Sequence, residues 1–198
     1  ASELIHAKKI NGQFELTLNS SDKINCNFLI NASGLYTEEV ANKIEDINLP
    51  KIKTVMYAKG HYYLYKKKNP FKHLIYPLPN SNGHGIHAGM DIENNLRFGP
   101  NAKWVESIEY SFDENTLDEF CNSIRSYWIN FDPSCLTPDY TGIRSKIVAE
   151  GEGGQDFEIL DASDHGLENL IHLQGIDSPG LTSSLSIAGE VISKLGIH

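Results

Sequence analysis

Apolar and polar positions alternate with a period of two through much of the first half of the chain, which predicts a run of β-strands. The stretch Ile5 to Leu18 folds back about Asn11-Gly12, a dipeptide suited to a two-residue hairpin. A polar turn follows at Asn19–Asp22. Ile24, Cys26, Phe28 and Ile30 then keep the same phase, which predicts one strand with that face toward a core. It runs into Ala32-Ser33-Gly34, a glycine turn, and Thr37-Glu38-Glu39-Val40-Ala41, a helix start with acids in its first turn. Further strands are expected over Val55–Tyr65, Leu74–Leu78, Gly85–Ile92 and Leu96–Gly99, the last two joined by a turn at Asn94-Asn95.

Helical spacing appears twice. Leu117, Phe120, Cys121, Ile124, Tyr127 and Trp128 predict a helix from about Asp113 to Ile129 that covers the sheet, and Pro133 bars its continuation. Near the C-terminus a strand at Leu170–Leu173 leads into the turn Gly175–Ser184. The helix after it, stopped by Gly196, carries Leu181, Leu185, Ala188, Val191, Ile192 and Leu195 on one expected face. Gly175 and Gly180 leave room for a ligand near the backbone, and Pro179 stiffens the turn. The hydroxyls of Thr182, Ser183 and Ser184 lie beside a helix N-terminus that attracts negative charge. Such a turn suits a cofactor that becomes anionic as it works; a purely structural turn is the competing reading. Gly151–Gly154 reads as a loop tip.

Composition narrows the classes. With 198 residues, 40% of them hydrophobic, the chain can bury a sizeable core as one domain or two interleaved ones. A net charge of -9 and an isoelectric point near 5.3 disfavour nucleic acid, and Lys66-Lys67-Lys68 is a solvated basic run. No apolar stretch approaches the roughly 20 residues needed to span a bilayer. Cys26, Cys121 and Cys135 leave one thiol unpaired in any pairing, which suits a reducing compartment, and Cys26 and Cys121 fall on apolar faces. The expected location is cytoplasmic, with peripheral membrane association left open.

Seven stretches, in order, resemble FAD-dependent oxidoreductases of the D-amino-acid-oxidase type, especially the branch that includes L-2-hydroxyglutarate dehydrogenase. They are Ile30–Tyr36, Lys59–Tyr63, Leu74–Pro79, Gly85–His87, Phe98–Ala102, Gly142–Arg144 and Gly175–Ser184. The resemblance implies FAD as cofactor and an α+β fold: part of an α/β FAD-binding domain over residues 1–51 and 141–198, and an antiparallel-sheet substrate domain over residues 52–140. Family members open with a strand and a G-x-G-x-x-G turn for the FAD pyrophosphate. No such sequence occurs here, and the chain starts at Ala1 within what would be the middle of a longer protein. The expectation is therefore a C-terminal half whose partner is the N-terminal FAD-binding half of the same protein, and which is inactive alone.

The resemblance also assigns sites. Cofactor contacts are expected from Ala32, Ser33 and Gly34, from Gly142, and from Gly175, Ile176, Asp177, Ser178, Pro179, Gly180, Leu181 and Thr182. Arg144 would hold a substrate carboxylate, for which a planar guanidinium supplies two parallel hydrogen bonds. Oxidising a hydroxyl also needs a base for its proton, and an imidazole suits that at neutral pH. His87 is the first choice and His61 the second, each against a structural role; Tyr62 or Tyr63 would face the flavin. His84, His87 and Asp91 invite a metal reading, but residues three apart on a strand, such as His84 and His87, point to opposite faces, so no metal is expected. Ser178 lacks a nucleophile elbow. The reading is oxidation of a small 2-hydroxy acid, with L-2-hydroxyglutarate as best candidate. The alternatives are a glycine- or sarcosine-type amino-acid oxidase, and a cofactor-free folded module.

Overall fold

Asn11 and Gly12 both take positive φ, 51° and 84°, the backbone a tight hairpin demands. They join β1 (Leu4–Ile10) to β2 (Gln13–Leu18), and β3 (Lys23–Cys26) completes a three-stranded antiparallel meander. The expected single strand from Ile24 to Ile30 is broken. At Asn27-Phe28 the chain leaves the meander, and β4 (Leu29–Asn31) enters a second sheet with inverted phase. Leu29 and Asn31 turn inward, whereas Ile24, Phe28 and Ile30 are exposed and Cys26 is only half-buried. Next comes the short helix α1 (Thr37–Ala41), then β5 (Met56–Tyr65), β6 (Ala88–Met90), β7 (Leu96–Phe98) and β8 (Lys103–Val105). Helix α2 (Leu117–Arg125) and strand β9 (Leu136–Lys146) follow, and β10 (Glu158–Leu160), α3 (Ala162–His165), β11 (Leu170–Gln174) and α4 (Ser184–Lys194) close the order. This is a computed structural model that describes residues 2–78, 85–152 and 156–197. Pro79, His84 and the Gly153-Gly154 pair lie outside the described residues.

The chain divides into two units. Unit 1 comprises residues 1–56 and 145–198, and unit 2 residues 57–144. In unit 1, β11 sits between β10, antiparallel to it, and β4, parallel to it in the register Leu170↔Leu29, Ile171↔Ile30, His172↔Asn31. All five residues of β11 are buried, as expected of a strand covered on both faces. Leu170 joins the cluster of Ala7, Phe14, Ala41, Ile44 and Ile47, and Ile171 and Leu173 pack with Val191 of α4. Helix α4 presents Ile187, Val191 and Leu195 to that cluster. Only part of the apolar face expected from the sequence is used: Val191 and Leu195 pack, Leu181 and Leu185 are 91% and 87% exposed, Ile192 is about half exposed, and the helix starts at Ser184.

In unit 2 the sheet order is β6-β7-β5-β8, with β9 on β5 as well. Strands β8 and β9, and β10 in unit 1, were not expected from the sequence. The expected Leu74–Leu78 strand is reduced to a single bridge, Ile75↔Ala88, and Gly85–Ile92 to the three residues of β6. The covering helix is also shorter than expected. Asp113 accepts a capping bond from the Asn115 N–H, a 3₁₀ turn leads into α2, and Tyr127 and Trp128 pack beyond its end. Phe120, Cys121 and Ile124 of α2 meet Tyr63, Tyr65, Ala88 and Phe98 on one face of the sheet. Among the described residues no helix is long and apolar enough to cross a membrane.

A buried polar group pins the parallel pair in unit 1. Asn31 Nδ2 donates to Thr37 O (2.9 Å) and lies 3.0 Å from His172 Nδ1, while its Oδ1 accepts from Ser33 Oγ at 2.6 Å. Those bonds make His172 Nδ1 the acceptor, so its proton resides on Nε2. His172 is wholly buried, and burial pushes its pKa down to about 4; His165, also buried, is shifted the same way for the same reason. The folded state thus holds neutral imidazoles that the unfolded chain protonates near pH 6.5. Stability is complete above that pH and is lost as pH falls toward the folded pKa. Between pH 7 and 5, His172 alone should cost about 2 kcal/mol, read as a falling thermal midpoint. His172→Gln should flatten that dependence, and an unchanged slope would contradict the assignment.

Candidate active site

Strand β5 divides its residues between two environments. His61, Tyr63 and Tyr65 turn into the α2-covered core, and Tyr62 and Leu64 turn to the other face. Tyr63 pairs with Phe98 and Ala88 with the same Phe98, so one step along the sheet Tyr62 and His87 both lie opposite Gly99, whose N–H donates to His87 O at 3.0 Å. Register therefore places Tyr62, Gly99 and His87 in one row on the face away from α2. Gly99 is required there. Its φ is 141°, and a Cβ would lie 2.6 Å from His61 O and 2.8 Å from the Tyr62 ring.

Strand β9 adds a second line. Tyr140, Gly142 and Arg144 alternate onto one side of it. The Tyr140 ring stacks on Tyr62, with centroids 4.4 Å apart and planes 16° from parallel. The Arg144 guanidinium lies beside the Tyr62 phenol: burial raises the pKa of Tyr62 while the adjacent cation acts to lower it. Nothing lies within 4 Å of a Cβ built on Gly142, so the space beside Arg144 is open. Arg97, by contrast, is held between Asp139 (2.5 Å) and Asp91 and presents a neutralised cation.

The two histidines separate. His61 is buried at 1% exposure, with its backbone N–H and ring Nδ1 both on Asn101 Oδ1 at 2.9 and 3.0 Å and its ring edge against Phe112. It stands on the core face and is not brought to Tyr62 and Arg144. His87 is half-buried on the open face, its ring 4.3 Å from that of Tyr76. Among the described residues no cluster of three metal-binding side chains occurs; His84 falls outside them.

In unit 1, two turns hold the residues proposed for the cofactor. Gly34 has a φ of 60° with open space where a Cβ would stand, and Ala32 is exposed beside it. In the other turn the Ser178–Pro179 peptide is cis, Ser178, Pro179, Leu181 and Thr182 are exposed, and Ser183 caps α4 without a side-chain bond. Gly180 differs from the sequence expectation. A Cβ there would meet Asp177 O and Ile176 Cγ2 at 2.6 Å, so this glycine closes the turn on itself rather than admitting a ligand. Gly175 is buried, with a φ of 71°. Asp177, half-buried, pairs with Lys146 at 2.6 Å.

The model of the FAD dependent oxidoreductase family matches residues 2–195. The chain belongs to that family. It is 32% identical over 180 residues to the mitochondrial L-2-hydroxyglutarate dehydrogenase of Arabidopsis thaliana, covering 85% of this chain and 37% of that protein. The L-2-hydroxyglutarate dehydrogenase of Indibacter alkaliphilus is 28% identical, with 87% and 51% covered. The FAD-bound L-alpha-glycerophosphate oxidase of Mycoplasma pneumoniae superposes with a TM-score of 0.81 at 16% identity, over all of this chain and half of that one. The chain thus spans about half or less of the length of these relatives.

Sequence reasoning missed Tyr140, because it read no strand over Leu136–Lys146; once β9 is recognised, the spacing of two that links Tyr140, Gly142 and Arg144 is legible. Stability separates the roles of the two glycines. Gly99→Ala should cost about 2–4 kcal/mol by driving a methyl into Tyr62 and the His61 carbonyl, and Gly142→Ala should stay within about 0.5 kcal/mol because its Cβ meets nothing. Denaturant unfolding of both variants checks this, and a large loss at Gly142 would contradict the open space beside Arg144.

Proposed function

We propose that the chain is the substrate-gripping part of an FAD-dependent enzyme that oxidises a small 2-hydroxy acid to the 2-oxo acid, with L-2-hydroxyglutarate the leading candidate. The observation that carries this reading is the Tyr62–Arg144 pair on an open sheet face that also bears His87. Arg144 binds the substrate carboxylate through its guanidinium fork, and Tyr62, beside it and stacked on Tyr140, keeps that fork in orientation. His87 takes the hydroxyl proton. An amine substrate can react already deprotonated, so a histidine on this face favours a hydroxy acid over an amino acid. The relatives named dehydrogenases of L-2-hydroxyglutarate support the same class.

The turns in unit 1 fit a flavin. The open positive-φ glycine at Gly34 and the uncapped start of α4 offer backbone N–H groups and a positive helix end to an anionic ring edge. FAD, when bound, supplies the two-electron acceptor. Ala32, Ser33 and Gly34 would form one side of its site, and the Gly175–Thr182 turn, which Gly180 closes on itself, the other.

A further segment completes unit 1 in this reading. Strand β4 is the edge of a parallel pair, and parallel strands are ordinarily covered on both faces. Ile30 beside that edge and Leu181, Leu185 and Ile192 on α4 are exposed apolar side chains. The N-terminal FAD-binding half of the same protein is the proposed cover, and the partial coverage of the relatives agrees with it.

The test uses the complete protein with Arg144→Lys. Loss of the fork should lower kcat/KM for the hydroxy acid by about tenfold to a hundredfold while bound flavin, read near ~450 nm, is retained. The chain of 198 residues alone should be colourless. Unchanged kinetics would remove Arg144 from the site, and a preference for glycine or glycerol 3-phosphate over 2-hydroxy acids in a substrate panel would overturn the substrate class.

A further inference from the structure

Two consecutive residues at the end of β9 reach both turns of unit 1. Ser145 Oγ lies 3.4 Å from Gly34 O, and Lys146 Nζ lies 2.6 Å from Asp177 Oδ2. The second contact is a well-covered ion pair, with the Lys146 side chain 25% exposed and that of Asp177 only 10%. A carboxylate so enclosed needs a compensating charge, and the effect of a charge on its surroundings grows as water is excluded. Asp177 also stands inside the turn, where its carbonyl accepts the Gly180 N–H at 2.5 Å. The carboxylate is therefore carried by the segment assigned to the flavin.

We propose that Lys146 and Asp177 form a charge-compensating pair that keeps the Gly175–Thr182 turn electrically neutral beside the flavin, so that neither charge alone shifts its reduction potential, with Lys146 as a positioning residue for that turn. This rests on the reading of that turn as a flavin contact. Two-electron reduction places negative charge on the flavin ring. An unpartnered Asp177 carboxylate would oppose that charge, an unpartnered Lys146 would favour it, and the intact pair does neither. The neutral pair thereby leaves the stabilisation of the reduced ring to backbone N–H groups and the α4 dipole.

The experiment is a redox titration of the complete, flavin-loaded protein at fixed pH, with thermal stability measured beside it, for Lys146→Met, Asp177→Asn and the double variant. Lys146→Met should lower the reduced-to-oxidised flavin ratio at a given solution potential several-fold, and Asp177→Asn should raise it several-fold. The double variant should return to within about twofold of the wild type, since both charges are gone. A merely structural pair would lower the thermal midpoint in the single variants and leave the potential unmoved; that result, with flavin present, overturns the proposal alone. Wild-type complete protein that purifies without flavin would overturn the functional reading and this assignment together. Should Lys146→Met not fold, Asp177→Asn decides alone: a reduced-to-oxidised ratio raised several-fold with flavin present supports the pair, and an unmoved ratio overturns it.

Discussion

Tyr63 lies between Phe112 and Phe120 at centroid separations of 5.0 and 4.6 Å, with its hydroxyl 3.0 Å from Thr116 Oγ1. That anchorage fixes which face of β5 is buried, and because side chains alternate along a strand it fixes every other residue of the row. A slip of one residue would bury Tyr62 under α2 and put His61 and Tyr63 on the open face. The chemistry proposed for unit 2 is thus a consequence of packing on its opposite side: the aromatic core holds the register, Gly99 leaves room for the Tyr62 ring, and Tyr140 stacks upon it.

Unit 1 depends on an equivalent constraint of a different kind. A parallel pair of short strands has little hydrogen bonding to define it, and Asn31 supplies definition by binding Thr37 and His172 at once. A half-satisfied buried network costs free energy, so this amide ties register to the orientation of the glycine turn that follows. Helix α4, packed on β11, leaves Leu185 and Ile192 uncovered, a surface that the proposed N-terminal half would cover.

Much of this was legible in the residues. Asn11-Gly12, the strand through Lys59–Tyr65 and the apolar stripe of α2 carry strong local signals, and the fold class and family followed from ordered short matches. Less legible were elements set by tertiary pairing. Ile24 to Ile30 alternate without interruption, yet the chain changes sheets at Asn27-Phe28, a decision made by the distant β11. Helix α4 spreads its apolar residues over an arc wider than the contact it makes, so periodicity alone could not choose among them, and the ones selected are those meeting Ile171 and Leu173. Of the two candidate histidines, both lie on strands within family-like stretches; only cross-strand register separates the core His61 from the open-face His87.

The central claim is that the face bearing Tyr62, His87 and Arg144 receives the substrate with its carboxylate on Arg144. A crystal structure of the complete flavin-loaded protein with a bound 2-oxo acid tests this most directly. The account predicts the carboxylate in two hydrogen bonds to the Arg144 guanidinium, with the 2-oxo oxygen toward His87. A carboxylate bound elsewhere, with Arg144 still closed on Tyr62, would contradict it.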